Sequence, residues 1–223
     1  MRVLVVAAHP DDEVLGAGGT IARHVDARDQ VSILICATGL ASRGAMLQAD
    51  LDKLRTCGCT AAAVLGAEAP IFLDFPDNAM DSVPLLDVVK AVQDVVDRTR
   101  PETIYTHHAG DLNIDHGVVA RAVVTAARSL PGHSLRSIYA FETLSSTEWA
   151  PAALTAPFAP SHFVDISAQL DRKTKAMKAY EAELRDYPHP RSIEGIRALA
   201  GVRGSTAGFA AAEAFMVLRS FWA

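Results

Sequence analysis

The 223-residue chain holds only three cysteines, Cys36, Cys57 and Cys59. So low and odd a count argues against a disulfide framework and suits a reducing compartment, so a cytoplasmic protein is expected. Cys57-Gly58-Cys59 has no second Cys or Cys/His pair at a matching spacing, which leaves free thiols as the expectation rather than half a metal site. No apolar run approaches the ~20 residues of a membrane span. The opening MRVLVVAA is short, carries an arginine and runs into His-Pro-Asp-Asp, so it reads as a strand and not as a signal peptide. Basic clusters are missing as well. The 21 Lys and Arg face 26 Asp and Glu, for a net charge of −5, and no basic stripe exists to follow a phosphate backbone. Nucleic acid is therefore not an expected partner. Internal repeats, low-complexity tracts and linkers are also absent.

Hydrophobic residues make up 50% of the chain, enough for one sizeable core, and the length suits a single domain over 1–223. RVLVVAA (2–8) is a continuous Val-rich run, the pattern of a strand buried on both faces of a parallel sheet. From Val14 to about Arg28, Leu15, Ile21, Ala22 and Val25 recur at helical spacing, and VSILICA (31–37) is a second buried strand. These three elements form a β-α-β unit, right-handed by default. A helix ending near Cys57 follows, then the strand IFLDF (71–75). A helix over 84–100 starts at Pro84 and stops at Arg98, Arg100 and Pro101, and TIYTH (103–107) is the next strand. Residues 116 to about 130 place Val119, Val123, Ala126, Ala127 and Leu130 on one helical face. SIYAFE (137–142) and HFVDI (162–166) are further strands. Residues 167–187 read as a charged, surface-facing amphipathic helix with Ser167 as its N-cap. One more helix and a last strand or helix, AEAFMVLRS, complete the chain. This alternation predicts a doubly wound, mostly parallel, Rossmann-like α/β sheet, with ligands outside the carboxyl ends of its strands.

Two clusters stand at such ends. His9, Asp11 and Asp12 directly follow the first strand. An N-cap role explains one aspartate there, but not a histidine and two aspartates. THHAGDLNIDH (106–116) follows another strand, and Asp115-His116 opens the next helix. His9 and His116 as neutral imidazoles, with Asp12, make a two-histidine, one-carboxylate set with an open position for water, which suits zinc. Asp11 cannot comfortably share the same coordination face as its neighbour but stands near enough to take a proton from the water. A base beside a metal-activated water is hydrolytic machinery.

AHPDDEVLGAGGTIARH together with GDLNIDH resembles the PIG-L (LmbE-like) family of zinc-dependent de-N-acetylases, and FPDN, YEAEL and PHPRS are similar to its small bacterial branch. The resemblance implies hydrolysis of an N-acetyl group on a soluble glucosamine-type sugar, giving acetate and a free amine. It also implies zinc on His9, Asp12 and His116 and Asp11 as general base, the same four residues that the spacing singles out. Another divalent metal such as Fe2+ suits the same set. Many members carry a histidine three residues before the second metal histidine, where this chain has Asn113. An amide can donate to an oxyanion but cannot supply a proton. Some members complete the site with a C-terminal histidine, in certain cases from a neighbouring subunit. That precedent makes His189 in PHPRS the candidate acid and allows for a homo-oligomer; a surface-turn histidine is the plainer alternative.

Further candidates lie in the same loops. Arg43 and Asp77 are placed to hold sugar hydroxyls or the oxyanion, against the plainer readings of a solvated arginine and a turn aspartate. Asp115 is expected to orient an imidazole, to cap its helix, or both. At most one of His107 and His108 faces the cleft, since adjacent strand side chains point opposite ways. Glu13 suits a first helical turn, and His24, His133 and His162 read as structural. Trp149 is open between sugar stacking and packing.

Other function classes compete with this one. GAGGT suggests a nucleotide-binding module, but Ile21 stands where G-x-G-x-x-G needs glycine and the glycines fall inside the helix, so close helix packing explains them better. An amidase for a larger acyl group or a thiol-sugar conjugate, and a metal-binding scaffold without turnover, remain as alternatives.

Overall fold

The computed structural model of the chain describes residues 1–39 and 48–222. Seven strands, β1 (Arg2–Ala7), β2 (Gln30–Ala37), β3 (Ile71–Phe75), β4 (Thr103–His107), β5 (Ser137–Phe141), β6 (His162–Asp165) and β7 (Ala212–Ser220), form one sheet. Their order is β3-β2-β1-β4-β5-β7-β6. Strands β1 to β5 pair in parallel, while β7 runs antiparallel to β5 and β6. The expected doubly wound, mostly parallel α/β sheet is therefore present, and AEAFMVLRS is a strand.

Helices cover both faces. On one side α1 (Asp12–Asp26), α2 (Gln48–Leu65), α5 (Leu170–Met177) and α6 (Ile193–Ala207) close a core around Val3, Val5, Ile33, Ile35 and Phe215. On the other, α3 (Leu85–Thr99) and α4 (Ile114–Ala126) pack on Leu4, Val6, Leu34 and Ile104. Among the described residues, no helix is long and apolar enough to cross a membrane. The chain leaves β1 towards β2 on one side and later adds β4 on the other, so the strand order reverses between β1 and β4. At such a switch point the connections diverge and leave a crevice beyond the strand ends.

Helix α1 lies unusually close to its neighbours. A Cβ on Gly16 would meet the Phe141 ring at 2.2 Å, and one on Gly19 would meet Ile166 at 2.7 Å. These glycines are packing residues, as expected, and have no free space for a phosphate. A buried ion pair adds a second tie. Glu213 accepts the N–H groups of Gly19 and Thr20 at 2.8 and 2.7 Å, while Lys173 Nζ donates to Glu213 at 2.5 Å and to the Leu15 carbonyl at 2.8 Å. Both contacts seat the first half of α1, from Leu15 to Thr20, and with it the turn after β1.

Several local expectations need correction. Helix α2 runs to Leu65, beyond Cys57, because Gly58 lets it pass close to Phe72 and Tyr180. Helix α4 ends at Ala126, which leaves Leu130 outside it and 58% exposed. The long helix over 167–187 is instead α5 followed by a 3-10 segment, Lys178–Glu183, with non-helical angles at Tyr180. It is not surface-facing throughout, since Lys173, Thr174, Ala176, Met177, Tyr180 and Glu183 are buried. Ser167 is not its cap: its hydroxyl donates to Asp165 at 2.6 Å and accepts from Ala211 N–H at 3.2 Å, and the helix begins three residues later.

Two glycine substitutions test the packing of α1. Gly16→Ala forces Phe141 aside, an overpacking cost of about 1–3 kcal/mol against about 1 kcal/mol of helix propensity regained, so a net loss of up to about 2 kcal/mol is expected. Gly201→Ala, in α6 where a Cβ meets nothing within 4 Å, should instead stabilise by about 0.5–1 kcal/mol. Thermal melting of the two variants checks both signs; an unchanged melting temperature for Gly16→Ala would show that α1 is not held at close approach.

Candidate metal centre and active site

Strand β1 ends at Ala7, and the turn that follows carries the chemistry. Asp11 occupies the N-cap position of α1 with φ of 108°, in the left-handed region, and its side chain caps nothing. Such a backbone costs about 1–3 kcal/mol in a non-glycine residue and persists only where its surroundings enforce it. Here Glu13 enforces it. One carboxylate oxygen accepts the Asp11 N–H at 3.1 Å, and the other accepts the Tyr180 hydroxyl at 2.6 Å. Burial pushes the Glu13 carboxyl to about 7, against the hydrogen bond from Tyr180.

Asp12 is fully buried at the centre of the site. Its Oδ2 accepts the His9 N–H at 2.9 Å and lies 3.2 Å from His9 Nδ1 and 3.3 Å from His116 Nε2. Its Oδ1 is buried with no hydrogen-bond partner. His9, Asp12 and His116 each present a ligand atom within 4.8 Å of the other two. A carboxylate with one oxygen unpartnered and two imidazole nitrogens gathered within 4.8 Å are the donor set of a divalent transition metal, so the residues present fit such an ion.

Each imidazole has a carboxylate behind it. His9 Nε2 is 2.9 Å from Asp115 and 3.3 Å from Asp77, and Asp115 also accepts the N–H groups of Asn78 and Met80 at 2.7 and 2.9 Å. His116 Nδ1 is 3.1 Å from Asp111, which accepts the Ser146 hydroxyl and, at 2.5 Å, the Thr147 hydroxyl. A carboxylate on the outer nitrogen fixes the ring and turns the inner lone pair to the ligand position. Burial disfavours charge on both rings, but Asp115 and Asp12 overcome it and raise His9 to about 10, and Asp12 and Asp111 raise His116 to about 9. The pocket thus holds positive charge strongly.

His107 serves differently. Its Nε2 accepts the Ala8 N–H at 2.8 Å, its Nδ1 is 3.3 Å from Thr143 Oγ1, and its ring stacks on His116 at 3.9 Å. Burial holds it well below the usual histidine range, and the neighbouring His116 charge adds to that. It is a neutral wall, with its inner lone pair already used. His108, buried as well, has Nε2 2.8 Å from the Ala156 carbonyl.

The base candidate has its own partner. Asp11 Oδ2 accepts from Arg191 at 3.0 Å; the same guanidinium donates from Nε to Ser145 Oγ at 2.7 Å and lies 3.6 Å from Glu183. Burial raises the proton affinity of the Asp11 carboxyl, the Arg191 charge partly offsets this, and Asp12, Glu183 and Glu13 reinforce it. Arg191 belongs to the Pro-flanked loop of His189. His189 itself accepts the Arg191 N–H at Nδ1, 3.1 Å away, and stands edge-on to Trp149 at 5.7 Å. Asn113 caps α4, accepting the Asp115 N–H at 2.9 Å while its amide donates to Asn78 at 2.8 Å. Arg43 lies outside the described residues.

The structure therefore gathers His9, Asp11, Asp12, Asp77, Asp115 and His116, with Asn113 at their margin. Sequence reading passed over Asp111 and Arg191. Asp111 carried a weak signal, an acid within the same loop as His116. Arg191 carried none for its partner, which stands 180 residues away.

Residues 4–127 match the family described as PIG-L: GlcNAc-PI de-N-acetylase. The chain is 30% identical, over 82% of its own length and 81% of the relative's, to a 1D-myo-inositol 2-acetamido-2-deoxy-alpha-D-glucopyranoside deacetylase of Mycobacteroides abscessus. It is also 30% identical to a 4-oxalmesaconate hydratase of Pseudomonas putida, over 78% of this chain and 71% of that one. The N,N'-diacetylchitobiose deacetylase of Pyrococcus horikoshii shares the fold with a TM-score of 0.77 at 20% identity, covering 97% of this chain and 83% of that chain.

A metal entering this pocket must displace the imidazole protons. Titration calorimetry with zinc at pH 7 in buffers of different ionisation enthalpy should show release of about two protons, and affinity should fall as pH is lowered, by up to about a hundredfold per unit. Asp111→Asn, which weakens the hold on His116, should lower zinc affinity about 10–100-fold. Zinc binding without proton release would show that the two rings are already neutral at pH 7, and zinc binding unchanged by Asp111→Asn would show that the metal sits elsewhere.

Proposed function

The chain belongs to the PIG-L family of de-N-acetylases, and on that premise we propose that it is a metal-dependent hydrolase that removes the N-acetyl group from a soluble N-acetylglucosamine-type sugar or glycoside. The observation that carries this reading is the position of Asp11, beside the His9, Asp12 and His116 group but turned to Arg191 instead. A carboxylate so held is free to take a proton next to a site that binds a cation.

In this reading His9, Asp12 and His116 hold the metal, with zinc proposed and iron(II) suited to the same ligands. When bound there, such an ion would lower the pKa of a water and polarise the acetyl carbonyl, the two things that amide hydrolysis lacks near neutral pH. Asp11 accepts a proton as the water oxygen bonds to the amide carbon. Scission of the C–N bond then leaves acetate and an amine whose nitrogen must gain a proton. His189 is the proposed donor: its Nδ1 accepts the Arg191 N–H, which leaves Nε2 as the nitrogen that passes on a proton, and the ring must first take up a second proton, at the expense of that Nδ1 bond, to act as an acid. Asn113 has one amide N–H beyond its bond to Asn78, available to a substrate oxygen. Asp115, behind His9, is proposed to orient that ligand, and Arg43 and Asp77, the latter 3.3 Å from His9 Nε2, are proposed to contact substrate.

The Pseudomonas putida relative supports a second reading, in which the activated water adds across a carbon–carbon double bond. A single panel separates the readings. It contains N-acetylated amino sugars and their glycosides, the same sugars with longer acyl groups, a thiol-sugar conjugate and 4-oxalmesaconate. Acetate release from the first group is expected; turnover of 4-oxalmesaconate alone would replace deacetylation with hydration.

Two variants assign the roles. Asp11→Asn should lower kcat by at least about a hundredfold while the metal content per chain is retained. His189→Ala should lower kcat about 10–100-fold, and an unchanged rate would remove it as the acid.

A further inference from the structure

The segment Thr143–Trp149, which follows β5, reaches the groups on the outer side of the site, His107, Asp111 and Arg191. Thr143 Oγ1 lies 3.3 Å from His107 Nδ1, and the Thr143 N–H donates to Thr147 Oγ1 at 2.8 Å. Ser146 and Thr147 direct their hydroxyls to the two oxygens of Asp111, the carboxylate behind His116. Ser145 Oγ accepts Arg191 Nε, and Arg191 NH1 reaches Asp11. The Glu148 carboxylate closes the turn by accepting the N–H groups of Ser145 at 2.6 Å and Ser146 at 3.3 Å. Ser145 has φ of 67°, a left-handed conformation that such a closure stabilises.

We propose that this turn is a clasp that positions two separate functions: Ser146 and Thr147 hold Asp111 behind the metal ligand His116, and Ser145 holds Arg191 on the base Asp11. The chemistry of the two arms differs. Asp111 is buried, and its Oδ1 faces His116 while Oδ2 accepts the Thr147 hydroxyl. Two hydroxyl donors leave it only one orientation, with an acceptor aimed at His116 Nδ1. Arg191 is held at two points of its planar fork, Nε on Ser145 and NH1 on Asp11, so its plane is fixed and the Asp11 carboxylate can turn only within it. None of these turn residues needs to touch substrate. They are positioning residues, and the inference rests on the proposed roles of His116 and Asp11.

The arms can be broken one at a time. Thr147→Val keeps the shape and removes the hydroxyl, whereas Thr147→Ser keeps the hydroxyl. Ser145→Gly removes Oγ at a left-handed position where glycine is unstrained, and Ser145→Asn restores a polar acceptor in a residue that tolerates that conformation. Zinc affinity should fall about 10–100-fold in Thr147→Val and recover in Thr147→Ser. In Ser145→Gly zinc affinity should hold within about twofold, while kcat falls about tenfold at unchanged KM and is partly restored in Ser145→Asn. Hydrogen exchange of the Arg191 Nε–H, followed by NMR, should quicken by at least about tenfold in Ser145→Gly alone.

Wild-type zinc affinity in Thr147→Val, or matching zinc and exchange defects in Thr147→Val and Ser145→Gly, would overturn the clasp, the latter because it signals general loosening. Should the wild type release no acetate from any sugar, the functional reading fails by itself; the zinc and exchange measurements still decide the clasp.

Discussion

A fully buried carboxylate with one unpartnered oxygen is costly, and Asp12 is such a group. Desolvating a charge in a protein interior costs several kcal/mol unless it is met by opposite charge and hydrogen bonds. His9 and His116 meet it on one side, which holds Asp12 well below the usual carboxylate range in spite of its burial. Those imidazoles need carboxylates of their own behind them, supplied by Asp111, Asp77 and Asp115. The negative charge then exceeds what two rings can balance, and the surplus is directed at one small space. A divalent cation on His9, Asp12 and His116 would resolve it. Much of the local architecture follows from keeping that imbalance in place: Glu13 straining the Asp11 backbone, the close seating of α1, and a turn after β5 that holds the outer groups.

Seating Asp12 also explains why α1 departs from ordinary helix design. Glycine is a poor helix residue, and Gly16 and Gly19 each lower propensity by about 1 kcal/mol relative to alanine. They let the helix approach Phe141 and Ile166 more closely than a Cβ allows, and the buried Lys173 and Glu213 pair clamps the next turn. The helix start is thereby held rigidly against the ends of β1 and β4, where the strand order reverses. Loops from β3, β4, β5 and the segment before α6 converge on that point, so groups far apart in the chain share one pocket.

A common pocket of this kind is compatible with more than one reaction. The relatives include a sugar deacetylase and a hydratase at the same identity, and both names describe the delivery of water to an electrophilic carbon. The proposed metal ligands and base lie in the turn after β1, at the start of α1 and in α4, within the residues that match the family. The loop before α6 adds Arg191, which bonds Asp11, and His189 beside it. Substrate choice is accordingly expected from the loops at the mouth and not from the buried histidines and aspartates.

The sequence by itself determined the sheet type, the order of its elements and the first candidates. Val-rich runs with helical spacing between them leave few alternatives, and His9, Asp11, Asp12 and His116 are legible because each lies within a few residues of a strand end. Tertiary structure decided which groups face one another. Asp111 behind His116, His107 as a neutral wall, and Arg191 on Asp11 depend on approach directions that no local spacing encodes. The mislocated end of α2, the break at Tyr180 and the failed cap at Ser167 have the same origin. There, long-range contacts with Phe72, Glu13 and Ala211 outweighed helix signals worth a fraction of a kcal/mol per residue. Local pattern fixes what a segment can be, and burial against distant partners fixes where it stops and what its side chains meet.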